Sequence, residues 1–258
     1  MSRAAAVYFW VLSALGTASL AALSGCTQSE ADPGPASLQR QVDDSGRNLA
    51  LSFDGVDDYL TTGTAQFPDG HAPQTLSAWF ELDDVTGKQA LITVRKDFES
   101  GVELGVSDGI VTAWRVFGDR VLVAAPQAIK AGAWHHAAFT YDGTADQLFL
   151  DGALVASSEN VPDKRTPTGS WLGSLDGTND LLHGSLDDVH VFEAVRTAEQ
   201  LGAEQTDGVP ASEAALVLDL TFDESGGSTA YDHSPLDNDG QLGDGIEQRM
   251  PTRVRSTR

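Results

Sequence analysis

The chain has 258 residues, enough for one large domain or two small ones. Its 38 acidic and 16 basic residues give a formal net charge of −22 at pH 7. Such a surface repels phosphate backbones, which argues against nucleic-acid binding, and it attracts metal cations. The single cysteine excludes an internal disulfide bond and a multi-cysteine zinc site.

The first 25 residues predict an export signal. Arg3 is their only charged residue, and an uncharged, largely apolar run extends from Ala4 to Leu23. A run of this length could also be an uncleaved membrane anchor. It ends in Leu23-Ser24-Gly25-Cys26, which resembles the lipobox of bacterial lipoproteins.

The lipobox resemblance implies that residues 1–25 are a lipoprotein signal peptide. Cys26 would then be the first mature residue and would carry acyl chains that attach it to membrane lipid. Thr27 in place of an aspartate implies sorting to the outer membrane of the cell envelope. Residues 26–47 lack hydrophobic periodicity and are rich in Ser, Pro, Gly and Gln, so we expect a flexible tether.

From residue 48 onward, apolar residues recur with a period of two, which predicts β-strands. Residues 76–82 and 216–222 show this alternation most plainly. Asp151-Gly152 lies between two such runs and predicts a two-residue hairpin turn. Thr197, with Gln200 three residues later, predicts the start of one short surface helix. The expected fold is all-β, an antiparallel sandwich or jelly roll.

Four blocks of sequence occur in order at 51–60, 75–80, 134–155 and 184–201. The first reads Leu-Ser-Phe-Asp-Gly-Val-Asp-Asp-Tyr-Leu, and the third begins Trp-His-His-Ala-Ala-Phe-Thr-Tyr-Asp-Gly. Together they resemble the laminin-G-like, concanavalin-A-like jelly-roll domains of bacterial surface proteins. The resemblance covers residues 48–242 and leaves residues 243–258, which contain four arginines, as a loose basic tail.

A fifth block, at residues 216–242, resembles the segment that usually begins such a domain. It could start a second, truncated copy, although only 16 residues follow Leu242. Alternatively, the domain is circularly permuted and strand 216–222 completes the sandwich from the other end of the sequence. Permutation is favoured because an isolated apolar strand would leave its hydrophobic face exposed.

The carboxylates at 232–239 suggest a calcium site, because Ca²⁺ prefers six to eight oxygen ligands. The family resemblance implies Asp187, Asp232 and Asp237 as ligands. Pro235-Leu236 stands where the family has Gly-Asn, and aspartates also simply form turns. Both interpretations stay open.

Two patterns bear on catalysis. Residues 105–109 match G-x-S-x-G, but a strand follows them where a nucleophile elbow needs a helix, so a hairpin turn is expected. Glu81 and Asp83 match two of three carboxylates found on one strand of jelly-roll glycosidases, and Thr86 holds the third place. No catalytic residue is assigned.

Trp79, Trp114 and Trp171 could stack on sugar rings if they face outward, although packing in the core or between the sheets is expected for at least two of them.

The sequence leaves three functions open. The first is a non-catalytic binding module for a glycan or protein ligand, assisted by Ca²⁺. The second is a glycoside hydrolase or lyase of the same fold, and the third is a structural accessory of an envelope complex.

Overall fold

The computed structural model describes residues 48–63, 67–68, 72–97, 100–159 and 169–258. The expected signal peptide (1–25), tether (26–47) and lipidation site at Cys26 lie outside these residues. Within the described part of the chain, no helix is long and apolar enough to cross a membrane.

The described residues form sixteen strands and one α-helix. The strands are β1 (Leu49–Asp54), β2 (Leu60–Thr62), β3 (Gln74–Leu82), β4 (Lys88–Asp97), β5 (Ser100–Ser107), β6 (Ile110–Arg115), β7 (Arg120–Ala124), β8 (His135–Tyr141), β9 (Ala145–Leu150), β10 (Ala153–Glu159), β11 (Gly169–Leu172), β12 (His183–Phe192), β13 (Leu216–Leu220), β14 (Thr229–Ala230), β15 (Gly240–Leu242) and β16 (Thr252–Arg255). The helix is α1 (Ala198–Asp207).

The strands form two antiparallel sheets. Sheet A has the order β10-β9-β8-β3-β12-β1-β16, and β13 pairs with β12 as well. Sheet B has the order β14-β15-β2-β11-β4-β5-β6-β7. The expected all-β antiparallel sandwich with one short helix is confirmed.

The core lies between the sheets and is built from alternate residues of the strands. In β3, Leu76, Ala78 and Phe80 belong to the core, and the residues between them face outward. Sheet B contributes alternate residues in the same way, including Ile92, Val94 and Leu104. The period-two pattern therefore reports which side of each sheet is buried.

The strand expected at 216–222 lies in sheet A as β13. Its residues pair with the second half of β12, whereas β1 pairs with the first half of the same edge. All five residues of β13 are buried. Phe222 follows in a left-handed conformation (φ 60°) and is completely buried. This segment is thus an integral part of the sandwich.

The last residues are not the loose tail expected for 243–258. Thr252–Arg255 forms β16, which pairs antiparallel with β1 at the edge of sheet A. Arg253 contributes side-chain hydrogen bonds to the carbonyls of Gly227 and Thr229 and to Glu224. Folded structure therefore continues well beyond residue 242.

Helix α1 begins as expected. Thr197 is its N-cap, and the side chains of Thr197 and Gln200 form a capping box. Leu201 packs against Ala138 and Phe149, in a small cluster separate from the main core. The helix therefore covers part of the outer face of sheet A.

Candidate functional site

The outer face of sheet B carries a row of polar and aromatic side chains, here called the sheet B row. Trp171 pairs with Thr93, Thr93 with Glu103, and Glu103 with Trp114. Directly paired residues point to the same face, and the strand neighbours of these four include core residues such as Ile92. The row therefore faces away from the core.

A cation lies over each tryptophan of the row. The guanidinium of Arg95 is 4.4 Å from the ring centroid of Trp171. The ammonium nitrogen of Lys88 is 4.6 Å from that of Trp114. These are cation–π distances, so the rings are fixed in orientation from one side.

Lys88 also joins three carboxylates. Its Nζ is 2.9 Å from Glu103, 2.7 Å from Asp119 and 3.0 Å from Asp180. Burial by itself lowers the pKa of Lys88, but the contacts with Asp119, Glu103 and Asp180 together raise it above its ordinary value. The contacts tie the segments that carry Asp119 and Asp180 to the sheet.

Glu103 is the most buried charge of the row, with no exposed surface. Burial raises the pKa of its carboxyl to about 7, although Lys88 acts in the opposite direction. One carboxylate oxygen contacts Lys88, and the other is buried without a hydrogen-bond partner. The carboxyl therefore titrates near neutral pH.

The three candidate tryptophans have different environments. Trp171 is partly exposed on the sheet B row, whereas Trp114 is only 4% exposed. Trp79 lies on the outer face of sheet A, with its ring 5.4 Å from that of His136. Trp171 is therefore the ring of the row that a ligand can reach.

The residues expected to bind calcium have other roles in this structure. Both oxygens of Asp232 are used within its loop and by β13: Oδ1 accepts from the backbone N–H groups of Asp219 and Ser234, and Oδ2 from the Ser234 hydroxyl and the backbone N–H of Asn238. These four donors occupy the carboxylate, so it organises the loop.

The other two expected ligands do not complete a calcium site with Asp232. Asp187 is ion-paired with Arg258, whose Nε is 2.7 Å from Asp187 Oδ2. Asp237 is exposed, and its φ of 55° is typical of a turn aspartate. These contacts do not fit a calcium site formed by Asp187, Asp232 and Asp237.

A different acidic group lies in the turn after β1. Asp54, Asp57 and Asp58 each have a carboxylate oxygen within 4.8 Å of the others, and among the described residues this is the one such group of three potential metal ligands. Burial, together with the charges of Asp54 and Asp57, raises the pKa of Asp58 to about 6. Asp54 and Asp58 also accept backbone N–H groups within the turn, so this group is a second candidate for holding a cation.

The sequence patterns considered for catalysis have structural roles. Ser107 ends β5, and Asp108-Gly109 forms the turn to β6 with positive φ at both residues, so the expected hairpin is confirmed. Glu81 and Asp83 lie at the end of β3 in sheet A, and Asp83 is exposed 3.6 Å from His183. Thr86 donates its hydroxyl to Asp84.

The sequence profile of a laminin G family of the concanavalin A-like lectin/glucanases superfamily matches residues 54–202. This is more than half of the chain, so the chain belongs to this family. Comparison with curated proteins finds no match.

Solved structures share the fold at low sequence identity. A candidate carbohydrate-binding protein from Bacteroides ovatus has a TM-score of 0.62 and 17% identity over 82% of this chain. A heptameric pentraxin resembling serum amyloid P from Limulus polyphemus has a TM-score of 0.54 and 15% identity over 79% of this chain. The chain spans 61% of the Bacteroides structure and 97% of the pentraxin.

Proposed function

We propose that this protein is a non-catalytic carbohydrate-binding module and that Trp171 of the sheet B row contacts the sugar. The observation that carries the proposal is the position of Trp171. Its ring is partly exposed on the outer face of sheet B and is oriented by Arg95. An aromatic ring with nearby polar groups is the usual chemistry of a sugar subsite.

The opposite face also carries a partly exposed tryptophan, Trp79, but its surroundings are covered in part. Helix α1 and Arg258 cover the outer face of sheet A around Ala138 and Trp79. Membership of a lectin and glucanase superfamily, and likeness to a candidate carbohydrate-binding protein, support a glycan as ligand. A formal charge of −22 favours a neutral glycan over a polyanionic one.

The proposal is tested by a glycan array, followed by calorimetry on the glycans that bind. Trp171→Ala should weaken binding by at least roughly tenfold, because a stacked tryptophan is a typical hot spot. Trp134→Ala is the matched control, since Trp134 is also partly exposed but lies outside sheet B. Both variants should keep the wild-type far-ultraviolet circular dichroism spectrum.

Equal affinity of Trp171→Ala and wild type would contradict a binding surface at this row. Binding should be measured with calcium and with a chelator, because we propose that the turn of Asp54, Asp57 and Asp58 holds Ca²⁺. Release of reducing ends from a bound polysaccharide would contradict the non-catalytic assignment.

We further propose that the module is held at the cell envelope, on the outer membrane, through a lipid on Cys26. The lipobox-like sequence at 23–26 supports this location. The tether expected from the sequence at residues 26–47 would let the sandwich reach a polymeric ligand from a fixed membrane point.

A further inference from the structure

The outer face of sheet A carries a second row of side chains, on the opposite side of the molecule from the sheet B row. Asp187 of β12 pairs with Trp79 of β3, and Trp79 pairs with His136 of β8. Directly paired residues share a face, so the Asp187 carboxylate lies beside the Trp79 ring.

A β-bulge brings a second carboxylate to this position. Between Asp187 and His190, two residues of β12 oppose a single residue of β3. Asp188 is in the left-handed region, with a φ of 42°. This conformation is uncommon outside glycine and lets neighbouring residues of a strand point to the same ligand. Bulges of this kind re-aim side chains at functional sites.

Arg258 contacts all three residues. Its Nε donates to Asp187 at 2.7 Å and its Nη2 donates to Asp188. Its guanidinium carbon is 5.4 Å from the Trp79 ring centroid. Two carboxylates and an aromatic face are the groups that recognise a planar guanidinium.

Asp187 and Asp188 need a nearby positive charge if both are to be ionised. The Asp187 side chain is 1% exposed and that of Asp188 is 16% exposed. Burial and the neighbouring charge of Asp187 raise the pKa of Asp188 to about 6, against the effects of His190 and Arg258. Without Arg258, two adjacent and largely buried carboxylates would repel each other.

We propose that Trp79, Asp187 and Asp188 form a guanidinium-binding site that Arg258 fills within its own chain. The contact fixes the residues that follow β16 and thereby stabilises the pairing of this edge strand with β1. An arginine side chain presented by another protein would compete for the same site. Calcium would not replace it well, because the site supplies two carboxylates and one ring where Ca²⁺ needs six or more oxygens. This proposal is independent of the sugar-binding face.

The test is chemical rescue of the full chain carrying Arg258→Ala. The melting temperature should fall by about 4–8 °C, since a partly buried ion pair with two carboxylates is broken. N-acetyl-arginine amide at millimolar concentration should restore most of the loss, whereas N-acetyl-lysine amide should not, and calcium should raise the melting temperatures of wild type and variant equally. The matched control is Arg255→Ala, because Arg255 is exposed at the end of β16, three residues before Arg258, and should show neither loss nor rescue.

An Arg258→Ala protein that melts like wild type, or that arginine amide does not rescue, would overturn the proposal. A calcium-induced increase that is confined to Arg258→Ala would show a general cation site and would also overturn it. If Arg258→Ala does not fold, Asp188→Asn gives a second test by hydrogen exchange. The β16 amides should then exchange at least roughly tenfold faster than in wild type, and unchanged protection would count against the site.

Discussion

Glu204 is a single buried residue that connects helix α1 to three strands of sheet A. From helix α1 it accepts hydrogen bonds from His190 Nδ1 at 3.0 Å and from the hydroxyl of Ser77, and it lies 3.4 Å from His136 Nε2. All four residues are buried. Burial alone would lower the pKa of His190, but Glu204 and Asp219 raise it to about 10, and His190 and His136 hold the pKa of Glu204 well below its usual range.

These shifts predict a pH-dependent stability. The raised pKa of His190 contributes stability that is fully present below pH 6.5, its ordinary pKa, and is lost as the pH rises through about 10. The lowered pKa of Glu204 contributes stability that is present above pH 4.5, its ordinary pKa, and is lost as the pH falls below that value. Replacing Glu204 by Gln should cost about 2–3 kcal/mol near neutral pH.

Urea unfolding of wild type and Glu204→Gln at about pH 6 and about pH 9 checks this prediction. The difference in unfolding free energy should be smaller at the higher pH. Glu199→Gln, on an exposed position of the same helix, is the control and should change little. An equal difference at both pH values would contradict the assignment.

At the residue scale, the sequence identified candidate binding residues, but it did not show which side chains contact one another. Trp171 was a candidate for sugar stacking, and the structure exposes it on an outer face. Glu103 and Lys88 were missed, although a glutamate between Val102 and Leu104 in an apolar strand is itself informative. Their connection depends on the register of β4 and β5, which pairs Glu103 with Thr93 across the sheet. Local sequence does not specify that register.

At the scale of elements, β13 is the clearest test of the architecture. Leu218 is completely buried in the core shared by the two sheets. Leu218→Ala should lower the unfolding free energy by about 2–5 kcal/mol, the usual cost of truncating a buried leucine. Leu236→Ala is the control, because Leu236 is 40% exposed in the loop after β14, and it should cost less than about 0.5 kcal/mol.

Urea denaturation curves measure both changes. Equal and small effects of the two substitutions would mean that β13 does not stabilise the sandwich.

Strand β13 was predictable from the sequence because its apolar residues alternate over seven positions. Strand β16 was not, because Thr-Arg-Val-Arg has one apolar residue, and it is held by backbone pairing with β1 and by the side chain of Arg253. Long-range contacts of this kind leave no local pattern.

At the scale of the whole molecule, the two outer faces differ. On the face of sheet A, α1 covers Ala138 and Arg258 lies over the partly exposed Trp79, whereas on the face of sheet B Arg95 lies over the partly exposed Trp171. The sandwich was predictable from period-two runs and turn residues. The ion pair of Asp187 was not, because the resemblance that named Asp187 carried no information about Arg258, seventy-one positions away in sequence.

The location of the molecule gives a separate prediction. Cys26→Ser should abolish lipid attachment, since the variant lacks the thiol group that would carry the lipid. In membrane fractionation of the expressing bacterium, wild type should partition with membranes, and the variant should be released or remain unprocessed. Membrane partitioning of a processed Cys26→Ser protein would contradict the anchor. Ser24→Ala is the control, since it changes a neighbouring residue without removing the thiol.

Sugar binding at sheet B is tested most directly by nuclear magnetic resonance of the tryptophan indole N–H groups. Signals can be assigned with single tryptophan-to-phenylalanine variants, and a glycan identified on the array is then titrated into the ¹⁵N-labelled protein. We predict that the indole signal of Trp171 shifts progressively, while those of Trp79 and Trp134 stay in place. Shifts confined to Trp79 or Trp134, with that of Trp171 unchanged, would contradict a binding surface at the sheet B row.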